Sequence, residues 1–327
     1  MHTLGIDVSK AKLDCALLDP DSDKRKTKSL PNTPDGFQAL AGWLAKQSVA
    51  ASAVHIVMEA TGVYHEALAL WLADKGYRVS VINPAQVKDF ARGLAVRTKT
   101  DAGDSVVLAR YGALVRPPLW TPPPAEVREL KALLARLEAL ETDLRRELNR
   151  QEKAIAGNAP VEVKRSLDDH LAVLKEEIAR LNRLIDDHID RHPDLKADRE
   201  RLLSIPAVGE KTANRMLAVL RSREFRNAGQ AAAFLGVTPV EHQSGTSVNK
   251  RPHLSKNGDA KTRAVLYMAA VVATRHNPDV RALYERLCAK GKAKMAALGA
   301  AMRKLVHLCF GVLKHRNNYV PNFAQVA

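Results

Sequence analysis

A proline-rich segment, PPLWTPPP at residues 117–124, restricts the fold of this chain more than any other feature. Proline lacks a backbone N–H and fixes φ, so neither a helix nor an inner strand can run through this segment. It also separates two hydrophobic patterns, because residues 1–116 alternate strand-like runs with helix signals and long leucine heptads follow the prolines. We therefore predict an α/β domain at residues 1–116, a stiff linker at 117–124 and helical regions after it.

The first domain is predicted to contain a mixed sheet covered by helices. Three strands come first, and helices and strands alternate after them, which is typical of such a sheet. The predicted strands cover residues 3–8, 12–18, 24–30, 54–58 and 78–82. The predicted helices cover about 32–47, 65–75 and 102–114.

Residues 125–195 contain two leucine-rich stretches in which apolar residues recur at steps of three and four. Turn-forming residues at 157–160 separate the two stretches. Such stripes are buried when two helices fold back as a hairpin, or when a coiled coil joins two chains, and the sequence leaves both arrangements open. Residues 196–327 are predicted to form a mostly α-helical C-terminal domain.

Basic residues outnumber acidic ones and are concentrated near the end of the chain. The 327 residues include 51 Lys and Arg against 36 Asp and Glu, a formal charge of +15. Residues 245–327 alone carry 15 basic and 3 acidic side chains. A basic surface of this density usually contacts phosphate, although a plain solvated face has the same composition. We therefore predict a polyanionic partner, with nucleic acid as the first choice.

Cysteine usage and hydropathy narrow the cellular compartment. The three cysteines are far apart and lack CxxC spacing, which disfavours a disulfide framework or a zinc site. The longest apolar run, residues 264–274, is well short of the roughly 20 residues that a membrane span needs. The N-terminus has no apolar run of signal-peptide length. We expect a soluble cytoplasmic protein, associated with the nucleoid and without a membrane partner.

Four acidic residues are candidates for metal binding. Asp7 interrupts an apolar strand, and Glu59 ends another. Asp101 and Asp104 lie one turn apart at the start of a predicted helix. If this helix packs over the two strand ends, the four carboxylates converge, and such hard oxygen ligands select Mg²⁺ or Mn²⁺.

A plainer interpretation of these acids competes with metal binding. Asp101 then caps the helix, Asp104 is a first-turn acid that the helix dipole favours, and Glu59 is a loop residue. Taken singly, these structural roles are the better explanation. A purely structural role explains Asp7 less well, because an unpaired acid within a buried strand costs several kcal/mol.

A helix–turn–helix pattern at residues 202–213, LLSIPAVGEKTA, is similar to a helix-hairpin-helix element. The turn of such an element offers backbone N–H groups to a phosphate. Gly209 permits close approach of the backbone and Lys211 adds charge. An ordinary turn between helices would need no ligand, but the neighbouring charge favours a phosphate contact. The candidate nucleic-acid contacts are Gly209, Lys211, Lys250, Arg251, Lys256, Lys261 and Arg263.

A glycine-flanked loop, EHQSGTS at residues 241–247, contains a candidate nucleophile, Ser244. A serine hydroxyl is a poor nucleophile unless a base or a metal activates it. Ser-Gly pairs are routine in polar turns, so the residues alone favour a plain turn. Thr246 and Ser247 are the alternative nucleophiles.

Short motifs along nearly the whole chain resemble the DEDD insertion-sequence transposases. That family includes the Piv-type DNA invertases and the bridge-RNA-guided recombinases. The order and spacing of the motifs match those of the family. The motifs are GID at 5–7, EATG at 59–62, INP at 82–84, KTDAGD at 99–104, GVTP at 236–239 and SGTS at 244–247.

The resemblance implies an RNase H-like catalytic domain of the RuvC type, with Asp7, Glu59, Asp101 and Asp104 as a tetrad that holds Mg²⁺ or Mn²⁺. It also implies that Ser244 is the nucleophile. Double-stranded DNA would be the substrate, a non-coding bridge RNA would select the sites, and a homodimer would assemble to a tetramer.

The expected function is therefore that of an insertion-sequence transposase or site-specific DNA recombinase, which cuts and rejoins DNA through metal-assisted serine attack. One alternative is a RuvC-like nuclease that cuts with metal-bound water. The other is a nucleic-acid-binding protein without catalysis, in which the acids are structural.

Overall fold

A computed structural model describes residues 1–19, 24–60, 62–94, 101–244 and 248–321. At Asp101, Ser244, Lys250 and Arg251 it describes the backbone, and the side chains lie outside the described part. The chain divides into two compact units, Met1–Pro122 (unit 1) and Pro123–Ala327 (unit 2). Each unit has a hydrophobic core of its own.

Unit 1 is built around a five-stranded mixed sheet. Its strands are β1 (His2–Val8), β2 (Lys12–Leu18), β3 (Arg25–Pro31), β4 (Val54–Glu59) and β5 (Arg78–Ile82). The strand order is β3-β2-β1-β4-β5, and β2 alone runs antiparallel to the other four. This arrangement is the one expected of an RNase H-like sheet, and it confirms the predicted α/β fold class.

Helices cover both faces of this sheet. In the described residues of unit 1 they are α1 (Pro34–Lys46), α2 (Glu66–Asp74), α3 (Pro84–Gly93) and α4 (Asp101–Val115). Helix α3 was not predicted. The Asn83 side chain accepts a hydrogen bond from the Ala85 N–H, and Pro84 occupies the first turn, which together are a helix-start signal. The same Asn-Pro pair was expected only to end a strand.

The two faces of the sheet have separate cores. On one face, Ile6 of β1 is buried with Leu40 of α1 and Leu68 of α2. On the other face, Val57 of β4 is buried with Leu108 of α4. Because side chains alternate along a strand, every second residue of β1 and β4 faces α4.

Unit 2 is mainly helical. Its first helices are α5 (Ala125–Ala156), α6 (Val161–Asp190), α7 (Pro193–Leu203), α8 (Glu210–Arg221) and α9 (Ala228–Phe234). An antiparallel hairpin follows, formed by β6 (Pro239–Ser244) and β7 (Val248–Leu254). The last described helices are α10 (Ala260–His276), α11 (Pro278–Ala289) and α12 (Lys294–His315). The hairpin was not predicted from the sequence, which suggested a loop and a basic stretch.

The two leucine-rich stretches form α5 and α6, which pack against each other within one chain. Leu140 of α5 is buried with Leu174 and Leu181 of α6. The short connection at residues 157–160 makes the two helices antiparallel neighbours. The structure therefore shows the folded-back hairpin, one of the two arrangements that the heptads allow.

By length and composition, α12 could cross a membrane, and 44% of its most apolar window is buried. Arg303 and Lys304 interrupt this helix, so it is not one uninterrupted apolar run as residues 264–274 are. Ala301, Leu305 and Cys309 of α12 belong to the core of unit 2. A buried core helix of a globular domain has this character.

Candidate active site

Asp7 and Glu59 lie at the same edge of the sheet in unit 1. Strands β1 and β4 are parallel neighbours, and their last recorded pair, Ile6 with Met58, comes directly before the two acids. Both acids are therefore at the carboxyl ends of adjacent strands, where α/β sheets usually place their sites. Asp7 is two residues beyond Gly5 and Glu59 is two beyond Val57, so strand alternation puts both on the α4 face.

Helix α4 lies directly on β1. A Cβ atom on Gly5 would be 2.0 Å from the carbonyl oxygen of Ser105 and 2.4 Å from the amide nitrogen of Ala109. A Cβ atom on Gly112 would be 2.6 Å from the Thr3 side chain. These two approaches require glycine. They also show that α4 runs antiparallel to β1, with its C-terminal half over the start of the strand.

This direction brings the first turn of α4 toward the two acids. Ser105 lies over Gly5, and Asp7 follows Gly5 on the same face, so the neighbouring Asp104 lies at the acidic edge. The backbone of Asp101 begins the helix one turn earlier, and its side chain lies outside the described residues. The structure thus places Asp7, Glu59 and Asp104 at one end of one face.

The residues at this edge offer carboxylate oxygens, which are the donors that Mg²⁺ and Mn²⁺ prefer. Among the side chains that the structure describes, which exclude Asp101, no group of three or more His, Cys, Asp or Glu is arranged to hold a metal ion. The structure shows where Asp7, Glu59 and Asp104 lie in unit 1. Metal binding by the full tetrad stays a prediction.

The predicted helix-hairpin-helix element corresponds to α7, a short turn and α8. Gly209 is the N-cap of α8 with an extended backbone, φ −84° and ψ 175°. Apart from its two chain neighbours and the backbone of α8, no heavy atom of the described chain lies within 4 Å of the place where its Cβ would be. No side chain caps the first N–H groups of α8. An open helix N-terminus of this kind suits a phosphate.

Two of the candidate nucleic-acid contacts are ion-paired with α5. The Lys211 Nζ lies 2.6 Å from a carboxylate oxygen of Glu141. The Lys261 Nζ lies 3.0 Å from Glu138, which also binds Arg215 at 2.8 Å. These pairs connect α5 with α8 and α10. Neither glutamate stands out in the sequence, because the nearest of these partners is 70 residues further along the chain.

Arg263 contributes to the fold of the loop that precedes α10. Its Nη1 donates hydrogen bonds to the carbonyl oxygens of Asn257, at 2.8 Å, and Gly258, at 3.0 Å. Lys256, in contrast, is exposed. The backbones of Lys250 and Arg251 lie on β7, and their side chains are outside the described part. Lys211, Lys261 and Arg263 therefore already bind other groups of the protein, whereas Lys256 is exposed to solvent.

Ser244 is the last residue of β6, at the tip of the β6–β7 hairpin. Its backbone pairs with that of Val248 on β7. The alternative nucleophiles Thr246 and Ser247 lie outside the described residues. The candidate nucleophile is thus at the end of a strand, where sequence analysis expected a loop.

Comparison with known proteins defines the class of this protein. A transposase family model of the DEDD, IS110 type matches residues 4–160. A second model, of the IS116/IS110/IS902 transposase family, matches residues 199–285. The first match contains the four acids, and the second contains the helix-hairpin-helix turn and Ser244. Both matches assign the chain to the transposase class, whose members recombine DNA.

More particularly, the chain belongs to the IS110 family of transposases and DNA invertases, as its motifs indicate. The pilin gene-inverting proteins of Moraxella lacunata and Moraxella bovis are each 32% identical to it over 318 residues, which is 97% of this chain and 97% of each relative. A probable family 20 transposase of Pseudomonas aeruginosa is 29% identical over 165 residues, 49% of this chain and 47% of that protein.

Solved structures of Thermus thermophilus RuvC are similar to part of the chain. One is a complex with a Holliday junction substrate, with 13% identity, and the other has 14% identity. Both have a TM-score of 0.28 and cover 36% of this chain, and 95% and 96% of their own chains.

Proposed function

We propose that this transposase cuts and rejoins double-stranded DNA by metal-assisted attack of Ser244 on a DNA phosphate. One observation carries the proposal: Asp7 and Glu59 lie at the carboxyl ends of neighbouring parallel strands, beneath the helix that begins with Asp101 and carries Asp104. Family membership supports the same assignment, because the family is named for a DEDD tetrad and the motifs around these four acids resemble those of the family.

The four acids would hold Mg²⁺ or Mn²⁺ at the edge of the sheet. Such ions, when bound, polarise a phosphate and stabilise the attacking and leaving oxygens. The protein's own contribution is to keep the acids at a fixed spacing. Gly5 and Gly112 serve this purpose, because they let α4 pack directly on the sheet.

Ser244 would act as the nucleophile at the scissile phosphate. Its Oγ–P bond forms as the P–O bond to one deoxyribose breaks, and the serine proton is lost while the departing deoxyribose oxygen gains one. The phosphoserine keeps the energy of the original bond. A deoxyribose hydroxyl of another strand can then reverse the step and rejoin the DNA without ATP.

Unit 2 would grip the nucleic acid. The open N-terminus of α8 at Gly209 and the exposed Lys256 support this assignment. We further propose, from the family resemblance, that a non-coding bridge RNA selects the target and donor sites and that a homodimer assembles to a tetramer. The site of action would be the nucleoid in the cytoplasm.

A covalent-adduct experiment tests the serine step. Wild-type protein and the Ser244→Ala, Thr246→Ala and Ser247→Ala variants are each incubated with Mg²⁺, labelled DNA and RNA transcribed from the flanks of the gene. We expect an adduct that survives detergent and disappears on protease digestion in all proteins except Ser244→Ala. Undiminished cutting by Ser244→Ala would contradict the serine mechanism and favour water as the nucleophile. Loss of the adduct only in Thr246→Ala or Ser247→Ala would move the role to that residue.

A further inference from the structure

The side chain of Asn32 joins two loops that are far apart in the sequence. Its Nδ2 donates hydrogen bonds to the backbone carbonyl oxygens of Ser9, at 2.8 Å, and Tyr64, at 3.1 Å. Both partners can only accept, so they fix the orientation of the amide and use both of its hydrogens. The backbone N–H of Asn32 also donates to the carbonyl oxygen of Ala11, at 3.0 Å.

These two loops leave the strands that carry the candidate metal ligands. Ser9 comes two residues after Asp7, in the turn from β1 to β2, and Tyr64 comes five residues after Glu59, before α2. The second loop is fixed at its start as well, because the Ala60 N–H donates to the carbonyl oxygen of Ile82 on β5 at 2.9 Å. The Asn32 amide therefore connects the exits of β1 and β4.

Asn32 is itself held on a rigid part of the backbone, between β3 and α1. Thr33 caps α1 by accepting a hydrogen bond from the Gly36 N–H at 3.3 Å. Gly36 packs so closely that a Cβ atom there would be 1.9 Å from the carbonyl oxygen of Pro31. The amide thus acts from a fixed point on both loops, and the Ser9 N–H closes the first loop by donating to the carbonyl oxygen of Lys12 at 3.0 Å.

We propose that Asn32 is a positioning residue for the candidate metal site. It holds the exits of β1 and β4 at the spacing at which Asp7 and Glu59 can share a divalent cation. The inference rests on the proposed function, in which these acids bind the ion. Asn32 acts through the backbone of the two loops and is not itself a ligand.

Direct binding of Mn²⁺ to the full-length protein tests this role without relying on activity. Free Mn²⁺ is measured by its electron paramagnetic resonance signal. We expect Asn32→Ala to raise the Mn²⁺ dissociation constant about tenfold, the lower end of what the loss of such a supporting residue costs. Amide hydrogen exchange should become faster in residues 9–12 and 62–65. Strand cutting should need more Mg²⁺ but recover when Mg²⁺ is saturating.

Asn32→Asp separates the loss of donors from a change in charge. The new carboxylate has nearly the same size but would face two carbonyl oxygens, so both hydrogen bonds are lost. Added negative charge alone would lower the Mn²⁺ dissociation constant, whereas the loss of the two Asn32 hydrogen bonds should raise it. Asn227→Asp is the matched control, because Asn227 accepts from the Gln230 N–H at 2.9 Å and an aspartate keeps that bond. We expect this control to bind Mn²⁺ as the wild type does.

The outcomes distinguish this inference from the proposed function. A wild-type protein that binds no Mn²⁺ overturns the metal site itself. A wild type that binds Mn²⁺, together with a folded Asn32→Ala of equal affinity, overturns only the role of Asn32. Should Asn32→Ala fail to fold, Asn32→Asp decides, and unchanged or tighter Mn²⁺ binding by that variant contradicts the inference.

Discussion

Unit 1 is nearly neutral and gathers acids at one edge of its sheet, whereas unit 2 is basic and pairs several of its cations internally. Residues 1–122 carry 15 basic and 12 acidic side chains, whereas residues 123–327 carry 36 and 24, and 15 and 3 of these lie in residues 245–327. Lys211 and Arg263 look like free cations in the sequence, yet one binds Glu141 and the other binds backbone carbonyls. Net charge therefore hides the acids of unit 1 and overstates the cations that unit 2 offers to phosphate.

The largest expected effect comes from removing an acid of unit 1. Asp7→Asn keeps the size of the side chain but weakens cation binding. A loss of several kcal/mol of phosphate stabilisation corresponds to strand cutting about 10³-fold slower. DNA affinity, measured by fluorescence anisotropy, should not fall, because the proposed DNA contacts lie in unit 2.

Asp74→Asn is the matched control, since it makes the same change at the exposed end of α2. Metal-stimulated cutting by Asp7→Asn at the wild-type rate would contradict the expectation that the acids of unit 1 are needed for cutting. A wild type that binds DNA and never cuts it, whatever the Mg²⁺ concentration, would favour the non-catalytic alternative.

The next largest effect is on the stability of unit 1. Gly5→Ala would place a Cβ atom 2.0 Å from the Ser105 oxygen, so we expect a loss of about 1–3 kcal/mol in the free energy of unfolding. Urea unfolding followed by tryptophan fluorescence reports on this unit alone, because all three tryptophans of the chain, Trp43, Trp71 and Trp120, belong to it.

Gly42→Ala is the control for this substitution. It lies within α1, and apart from the backbone of that helix no heavy atom of the described residues is within 4 Å of its Cβ position, so alanine there should stabilise the helix by up to about 1 kcal/mol. Equal urea midpoints for Gly5→Ala and the wild type would show that α4 does not rest on β1 as described.

A smaller effect tests the internal ion pairs of unit 2. Glu141→Gln should release Lys211, steepen the dependence of log affinity on log salt by about 0.9, and tighten DNA binding at low salt about threefold. Glu152→Gln removes the same charge three turns further along α5 and serves as the control. If both variants bind equally, the charge of α5 matters and the Lys211 pair does not.

The smallest effect is a pH dependence in unit 1. Burial, and then the nearby Arg78, lower the pKa of His55 below its usual 6.5, and its Nε2 lies 2.7 Å from the Ser80 Oγ. His55 takes up a proton more readily in the unfolded chain than in the folded one, so protonation of this residue destabilises unit 1. The free energy of unfolding of unit 1 should therefore be retained above pH 6.5 and decrease as the pH falls below that value.

Urea midpoints from tryptophan fluorescence, measured above and below pH 6.5, check this effect. His55→Gln should show a shallower pH dependence than the wild type. Equal slopes would assign the effect to another group.

Local patterns account for the parts of the fold that the sequence predicted. Strands β1 and β4 are short apolar runs bounded by polar residues, and α4 follows an acidic helix start. The β6–β7 hairpin was missed because Pro239 and Pro252 are unusual in strands and its basic residues are typical of a loop. Only pairing between the two segments makes them a sheet.

The residues of the candidate site also differ in whether a local sequence pattern could reveal them. Asp7 and Glu59 could be found because an acid within or at the end of an apolar strand is a local anomaly. Asn32, Glu138 and Glu141 could not, since each acts on residues that are distant in the sequence. The Asn32 amide, for example, reaches across 32 residues to Tyr64.

The α5–α6 hairpin extends a fixed distance beyond Glu141, which pairs with Lys211 of the helix-hairpin-helix element. From Glu141 to Ala156 the helix rises about 22 Å, since each residue adds about 1.5 Å. Along B-form DNA this equals roughly six base pairs at about 3.4 Å each. On a duplex that lies parallel to α5, a partner held at the far turn of the α5–α6 hairpin would be offset from the helix-hairpin-helix element by more than half a turn of DNA, on a different side of its circumference.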